Sequence, residues 1–450
     1  MCGGFSNPPG GSEDLPYSTI VAPATPVGRS ALAIVRIDGP LSADILQSLT
    51  GVTPPEDRHA AFVRLQHRGE MLDECVAIRY VAPRSFTGND LVELTLHGNP
   101  LLVQRVIEAA VELGARMAEP GEFTERAVLN GKLDLVQAES VADLINARTS
   151  LQAKLSLHNL EGSLSRTATS IREGLLFVIS RLEAALDFAE DGYEFVTRDE
   201  AARRIDEAIA ATRQLGETFR RGRATTRGLE AVILGRPNAG KSTLLNRLVG
   251  SERAIVTPIP GTTRDIVRET IEIGGLPVTL ADTAGLRESI DVVEGIGIER
   301  ARDAARRADI ILYLIDATNP IEPDQLDTSA VTVRVYTKID LASAPAGEFG
   351  ISVTADVGVS ELLNRLDALV RDEFAAPESS AVLVNERQRS AVAEAESALM
   401  DSRQSLTEQR DEQLVLVDLY RAANALALLT GAITREDVFT EIFTKFCVGK

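Results

Sequence analysis

The sequence is short of the residues that staple or metallate a fold. It holds three cysteines in 450 residues, Cys2, Cys75 and Cys447, far apart and with no CxxC pair. A disulfide framework or a zinc site is therefore not expected, and a reducing cytoplasm is the expected compartment. The four histidines, His59, His67, His97 and His158, are equally scattered. No apolar run approaches the ~18 residues that a membrane span needs, so no membrane partner is expected. The first seventeen residues are Gly/Pro-rich and acidic, without a cationic n-region or an apolar h-region. They read as a flexible extension and not as a secretory signal. Basic charge is also in deficit: 47 Lys and Arg stand against 66 Asp and Glu, a net charge of −19. A protein that binds nucleic acid by bulk phosphate neutralisation is basic. Any RNA handled here must be met through a local patch or with a partner's help. What is present, 44% hydrophobic residues at a mean hydropathy near zero, describes a globular protein. At this length two to three cores are expected.

Organisation changes along the chain. From 18 to 132 short β-rich runs alternate with turns: ALAIVRI (31–37), ECVAIRYV (74–81) and LVELTL (91–96) read as strands. LLVQRVIEAAVELG (101–114) has helical spacing and a Gly at its end. This is an α/β module. Over 133–222 leucine, alanine and charged residues dominate, with Leu175, Val178, Ile179, Leu182 and Leu186 at helical spacing. Long antiparallel helices are predicted there. From 223 to 373 strands alternate with helices again, starting at the run AVILG. Residues 374–450 return to helix, chiefly over 386–429. A last segment from Thr434 places Phe439, Ile442, Phe443 and Phe446 on one face. The pattern predicts a helical domain interrupted by a nucleotide-binding insertion.

The chemistry sits in that insertion. Gly235-Arg-Pro-Asn-Ala-Gly-Lys-Ser242 is GxxxxGKS between a strand and a helical run, the context a P-loop requires. Backbone N–H groups at the helix start cradle phosphates, Lys241 reaches the β and γ oxygens, and the Ser242 hydroxyl faces Mg²⁺. Asn238, Ala239, Gly240 and Thr243 complete the expected loop. Asp282-Thr283-Ala284-Gly285 follows the strand LPVTLA, its Asp expected to hold Mg²⁺ through water and Gly285 to sense the γ-phosphate. VTVRVY then runs into Thr337-Lys338-Ile339-Asp340. An aspartate there accepts from the N1–H and 2-amino groups of guanine, a donor pair adenine lacks, which points to GTP. Thr337 stands where such motifs usually have Asn, and the closing Ser-Ala-Lys element is replaced by Thr354-Ala355-Asp356. The base pocket is thus the part that departs furthest from pattern. Leu286 follows the DTAG motif where a water-orienting Gln is usual, and no arginine finger is evident.

Several independent segments together resemble the MnmE/TrmE family of tRNA wobble-uridine modification GTPases. They are ATPVGR and IVRIDG, SFTGNDLVELTLHGNP (85–100), EPGEFTERAVLNGKLDLVQAESVADLI (119–145), GRPNAGKST, TPIPGTTRDIVRE (257–269), DTAGLR and the terminal FCVGK. The likeness covers nearly all of the chain beyond the first ~17 residues. It implies a multidomain α/β plus α protein. Its parts are a folate-type α/β domain at 18–132, a helical-bundle domain at 133–222 and 374–450, and a Ras-like P-loop GTPase domain inserted between the helical parts.

The resemblance also implies a mechanism. K⁺ takes the place of an arginine finger, held by Asn238 and by Thr257, Ile259 and Thr262 of the loop 257–263, which also includes Pro258, Pro260 and Gly261. Thr263 joins Ser242 on Mg²⁺, Glu294 positions water indirectly, and Arg287 is a further switch residue. The family implies a homodimer acting with an FAD-dependent MnmG-type partner, as a heterotetramer, on tRNA. Together they place a carboxymethylaminomethyl or aminomethyl group at carbon 5 of the wobble uridine, position 34. The one-carbon unit comes from 5,10-methylene- or 5-formyl-tetrahydrofolate, whose contacts fall on Arg36, Glu93, Lys132 and Lys450. Cys447 is implied as a functional thiol near that site. Two other readings compete: a regulatory GTPase switch of the ribosome-assembly type, and a folate-dependent methyltransferase with a vestigial G domain. The terminal FCVGK speaks against the first. The full set of phosphate-contacting residues speaks against the second.

Overall fold

In the computed structural model the described residues are 18–188, 195–250, 253–255, 268–282, 303–321, 328–377 and 381–431, with positions 442, 446 and 449. The chain divides into two compact units, residues 1–142 with 431–450, and residues 143–430.

The first unit is built on a six-stranded sheet of order β3-β4-β5-β2-β1-β6. Its strands are β1 (Ile20–Pro23), β2 (Leu32–Asp38), β3 (Ala60–His67), β4 (Glu70–Tyr80), β5 (Leu91–His97) and β6 (Arg116–Met117). Alternation decides the faces. Val35, Ile37, Val92, Leu94 and Leu96 point into a core closed by helices α1 (Ser42–Thr50) and α2 (Pro100–Glu112). The intervening Arg36, Glu93 and Thr95 lie on the other face. Helix α2 starts where its sequence says it should: the Asn99 side chain caps Leu101 N–H, and Pro100 stands in the first turn. Helix α3 (Glu122–Leu129) follows β6. The C-terminal residues return to this unit, where Ile442 and Phe446 share a core with Leu135 and Ala138. Phe439 and Phe443 lie outside the described residues.

The second unit contains the long helices and the nucleotide block. Helices α4 (Leu135–Asn146), which straddles the division, α5 (Ser150–Leu160), α6 (Ser163–Asp187), α7 (Arg198–Glu217) and α8 (Phe219–Arg227) precede the block. The predicted stripe is realised: Leu175, Val178, Ile179 and Leu182 of α6 are buried in one core. Ile205 of α7 and residues of two helices beyond the block, Glu386–Thr407 and Glu412–Thr430, complete that core.

The block itself is a sheet of order β12-β11-β10-β7-β9-β8. Strands β7 (Leu229–Gly235), β9 (Leu276–Asp282), β10 (Ile310–Asp316), β11 (Val331–Thr337) and β12 (Gly350–Ile351) are parallel. Only the edge strand β8 (Arg268–Ile273) is antiparallel. Helices α9 (Lys241–Val249) and α10 (Val359–Glu373) pack on it through Leu244, Leu245, Leu248, Leu362, Leu366 and Val370. Parallel strands buried on both faces read as continuous apolar runs, which is why AVILG and IILYL stand out in the sequence. The two helices following the block are α11 (Glu386–Thr407) and α12 (Glu412–Thr430).

Candidate functional site: a phosphate loop with an adjoining base pocket

The central strand β7 ends at Gly235, and the loop that follows turns through conformations few residues tolerate. Gly235 has φ +147°, Asn238 φ +64° and Gly240 φ +88°. A Cβ on Gly235 would stand 2.5 Å from Leu314 O, so only glycine fits where the strand passes β10. Gly240 heads helix α9 without a side-chain cap. The start of α9 carries the positive end of the helix dipole, which favours an anion there. Lys241 Nζ donates to Gly235 O and Arg236 O, both at 2.9 Å, and so arches over the loop it must serve. Asn238, Ser242 and Thr243 are exposed, while Ala239 is buried.

The neighbouring strand ends complete the rim. Asp282 closes β9, whose register sets it opposite Ile233 of β7. β11 ends at Thr337, one strand beyond β10, and carries the TKxD segment to the same edge. Open parallel sheets bind ligands at this carboxyl edge. Thr337 is 3% exposed, and its hydroxyl donates to Ala239 O at 2.9 Å, with Ile315 O at 3.3 Å. Lys338, at φ +59°, places its ammonium 2.5 Å from Asp316 Oδ2. Burial pushes the Asp316 carboxyl up, but hydrogen bonds from Lys338 and from the Thr318 side chain and backbone, with the Lys338 charge, outweigh it and hold it below its ordinary value. Asp340 is exposed, with no hydrogen-bond or ion-pair partner among the described residues.

The Thr354-Ala355-Asp356 segment forms the adjacent turn. The buried Ser352 hydroxyl accepts from Ala355 N at 3.2 Å, and Asp356 Oδ1 accepts from Arg247 of α9 at 2.9 Å. Sequence reasoning had no signal for Arg247 or the Thr337 clamp, because each partner lies about a hundred residues away along the chain.

In the first unit Arg36 and Glu93 are cross-strand partners in the β2–β5 register, their side chains 2.8 Å apart. Tyr80 Oη donates to Glu93 Oε2 at 3.3 Å, and the Arg36 guanidinium lies 5.5 Å from the Phe86 ring centroid. Burial first, then the Glu93 charge and hydrogen bond, raise the Tyr80 phenol above its ordinary value. Lys132 Nζ donates to Pro83 O at 3.1 Å, in the β4–β5 connection that also carries Phe86. Arg36, Glu93 and Lys132 thus border the same connection.

Beneath them lies a buried network the sequence did not reveal. Arg126, 3% exposed, donates to Asp38 Oδ1, Glu122 Oε1 and Ser18 O, each at 2.8 Å. Asp38 also accepts from Thr87 and from Asn89 Nδ2, which fastens the 85–90 turn to α3. Every charge in it is paired, as burial demands. Apart from Ser18, the residues fall within the IVRIDG, SFTGND and GEFTER segments, which were legible as family marks but not as an ion network. Gly449 reaches the same unit: a Cβ there would lie 2.0 Å from Pro23 O.

Cys75 is a free, buried thiol pushed up to about 12 by burial and then by Asp73, which makes it a core side chain and no nucleophile. Glu294, Arg287, Thr257 to Thr263, Thr283, Ala284, Gly285, Cys447 and Lys450 lie outside the described residues, as does the side chain of Asp282. Among the described residues no cluster of metal-ligating side chains occurs and no helix is long and apolar enough to cross a membrane.

A family model described as the GTP-binding protein TrmE N-terminus matches residues 19–132. One described as the MnmE helical domain matches 135–447. The tRNA modification GTPase MnmE of Koribacter versatilis is 42% identical, covering 96% of this chain and 99% of that protein. The protein of the same name in Aquifex aeolicus is 40% identical over the same shares of the two chains. Among solved structures, the G domain of the T. maritima FeoB iron transporter is 22% identical over 31% of this chain and 96% of its own, at a TM-score of 0.24. With two family models end to end and relatives at this identity over nearly their whole length, the chain belongs to the MnmE family of tRNA modification GTPases.

Proposed function

We propose that this protein hydrolyses GTP and couples that hydrolysis to tRNA modification. The observation that carries the reading is the strand end at Gly235, the uncapped helix start behind it with Lys241 arched over the loop, and the exposed Asp340 on the same sheet edge. Phosphates lie on the α9 amides, Lys241 faces the β and γ oxygens, and Asp340 accepts from guanine N1–H and the 2-amino group. Mg²⁺ would be held by the Ser242 hydroxyl at the helix start together with Thr263 and Asp282. Asn238, with Thr257, Ile259 and Thr262, would hold a K⁺ ion, which would supply the positive charge an arginine finger otherwise brings. Glu294 orients the attacking water. Asn238, at φ +64°, is exposed at the turn of the loop.

In the first unit the Arg36–Glu93 pair, Lys132 and Lys450 suit a tetrahydrofolate. Glu93 accepts from pterin donors, and the cations face carboxylate or carbonyl groups. The bound folate supplies the one-carbon unit that ends on carbon 5 of the wobble uridine. Cys447 stands three residues from Lys450 as a thiol at that site. An FAD-dependent MnmG-type partner joins a homodimer of this chain in the cytoplasm and presents much of the tRNA surface, in keeping with the net charge of −19.

The test is GTP turnover by the full chain in KCl and in NaCl at equal ionic strength, with ATP as control. GTP-only turnover that rises sharply in K⁺ is expected. Indifference to K⁺ removes the cation assignment, and equal use of ATP removes the base assignment. Wobble-uridine nucleoside analysis of a deletion strain tests the coupling: unchanged uridines would leave a regulatory switch.

A further inference from the structure

The TKxD segment commits its side chains unevenly, and this has a consequence for how the base is read. A threonine hydroxyl has one proton to give. In Thr337 that proton faces two main-chain carbonyls, Ala239 O at 2.9 Å and Ile315 O at 3.3 Å, inside a site only 3% exposed. Lys338 gives its ammonium to Asp316 at 2.5 Å. Guanine presents N7 and O6 as acceptors on one edge. An acceptor needs a donor, and Thr337 has none left. Asp340 is an acceptor only, so it serves the opposite edge, where N1–H and the 2-amino group donate.

We infer that Thr337 is a positioning residue and makes no base contact: it clamps the end of β11 to the phosphate loop through Ala239 O, while guanine is selected through Asp340, with the N7 edge unread by the Thr337 side chain. The inference rests on the GTP reading above and deepens it. The clamp spans 98 residues of sequence and joins the carbonyl just before Gly240 to the strand that carries Asp340. Loss of the hydroxyl leaves Ala239 O buried without its partner and loosens the phosphate and base ends together. An amide NH2 at position 337 has two N–H donors, one for the clamp to Ala239 O and the other for N7.

The experiment compares binding of GTP, 7-deaza-GTP (which lacks N7) and ITP (which lacks the 2-amino group) to the full chain and to T337V, T337S and T337N. Wild type binds GTP and 7-deaza-GTP within ~2-fold of each other, and ITP ~10-fold or more weakly, the range of one lost charge-assisted hydrogen bond. T337V weakens GTP and ITP by a common factor of ~3 to ~10, and T337S restores wild-type affinity. T337N acquires a preference for GTP over 7-deaza-GTP of about 5-fold. Wild type that rejects 7-deaza-GTP ~10-fold overturns the inference without any variant having to fold. So does a folded T337V with unchanged GTP affinity, or a loss in T337V that falls on GTP and spares ITP. Failure of the wild type to bind any of the three nucleotides would instead sink the GTP reading itself.

Discussion

The phosphate loop and the Arg36–Glu93 cluster hold their polar groups by opposite means. At the loop, main-chain geometry does the positioning. Three residues at positive φ turn the chain, an uncapped helix supplies amides, and Lys241 is fastened to carbonyls of its own loop. At the cluster, side chains position one another. Arg36 is set by Glu93 across the sheet, Glu93 by Tyr80, and the connection above them by the buried Asp38–Arg126 pair. The first kind of site is written locally and survives changes in neighbouring side chains. The second depends on register between strands tens of residues apart, and each member perturbs the others.

That contrast can be tested from its strongest consequence downward. Lys241→Ala removes the ammonium proposed to face the β and γ phosphates and should lower GTP turnover by about 100-fold or more, with the fold intact by thermal unfolding. A loss below about 10-fold would mean that backbone amides alone carry the phosphate charge. Glu93→Gln should weaken 5-formyl-tetrahydrofolate binding by ~10-fold or more, read by calorimetry. It should also bring the Tyr80 phenol part of the way back toward its ordinary value in an ultraviolet titration, burial keeping the remainder. If the phenol does not move, the cluster is not mutually coupled.

Asp316 gives a pH signature at the nucleotide end. Its carboxyl is held low, so the Lys338 pairing is fully present above the ordinary value of 3.8 and is lost as pH falls through the lowered one. Thermal midpoints of wild type should therefore fall more steeply below about pH 4 than those of Asp316→Asn; parallel curves would contradict this. The smallest effect belongs to Arg247→Ala. Its pair with Asp356 is half exposed, and about 1 kcal/mol or less should separate the variant from wild type in denaturant unfolding.

The same contrast explains what was readable in the sequence. GRPNAGKS announced itself because a P-loop is a local device with fixed spacing, and the amphipathic stripe of α6 showed through its 3.6 period. DTAG and TKxD could be placed at strand ends because strands buried on both faces read as apolar runs. The role of Thr337 could not be read, since its partner carbonyl is in the phosphate loop. Arg36 stands alone near the end of a strand run in the sequence, and only the β2–β5 register sets it beside Glu93. Arg126 sits in the GEFTERA segment, where a helical charge is usually solvated, and only the fold reveals that it is buried among Asp38, Glu122 and Ser18 O. The resemblance pointed to these segments without saying what their residues hold.

The nucleotide block leaves the helical part after α8 and returns to it just beyond α10, and the departure and return are joined. The Thr225 hydroxyl accepts from Ala376 N at 3.0 Å, across 151 residues, at a site buried on both sides. For the helices, then, the block is topologically no more than a short loop. Chain-closure entropy grows only with the logarithm of the length inserted, so a stitch of this kind makes the block nearly free to acquire, lose or exchange. A shortened chain with 229–374 replaced by a few glycines should keep the α6, α7, α11 and α12 core, and a different strand–helix module could be grafted between the same two residues.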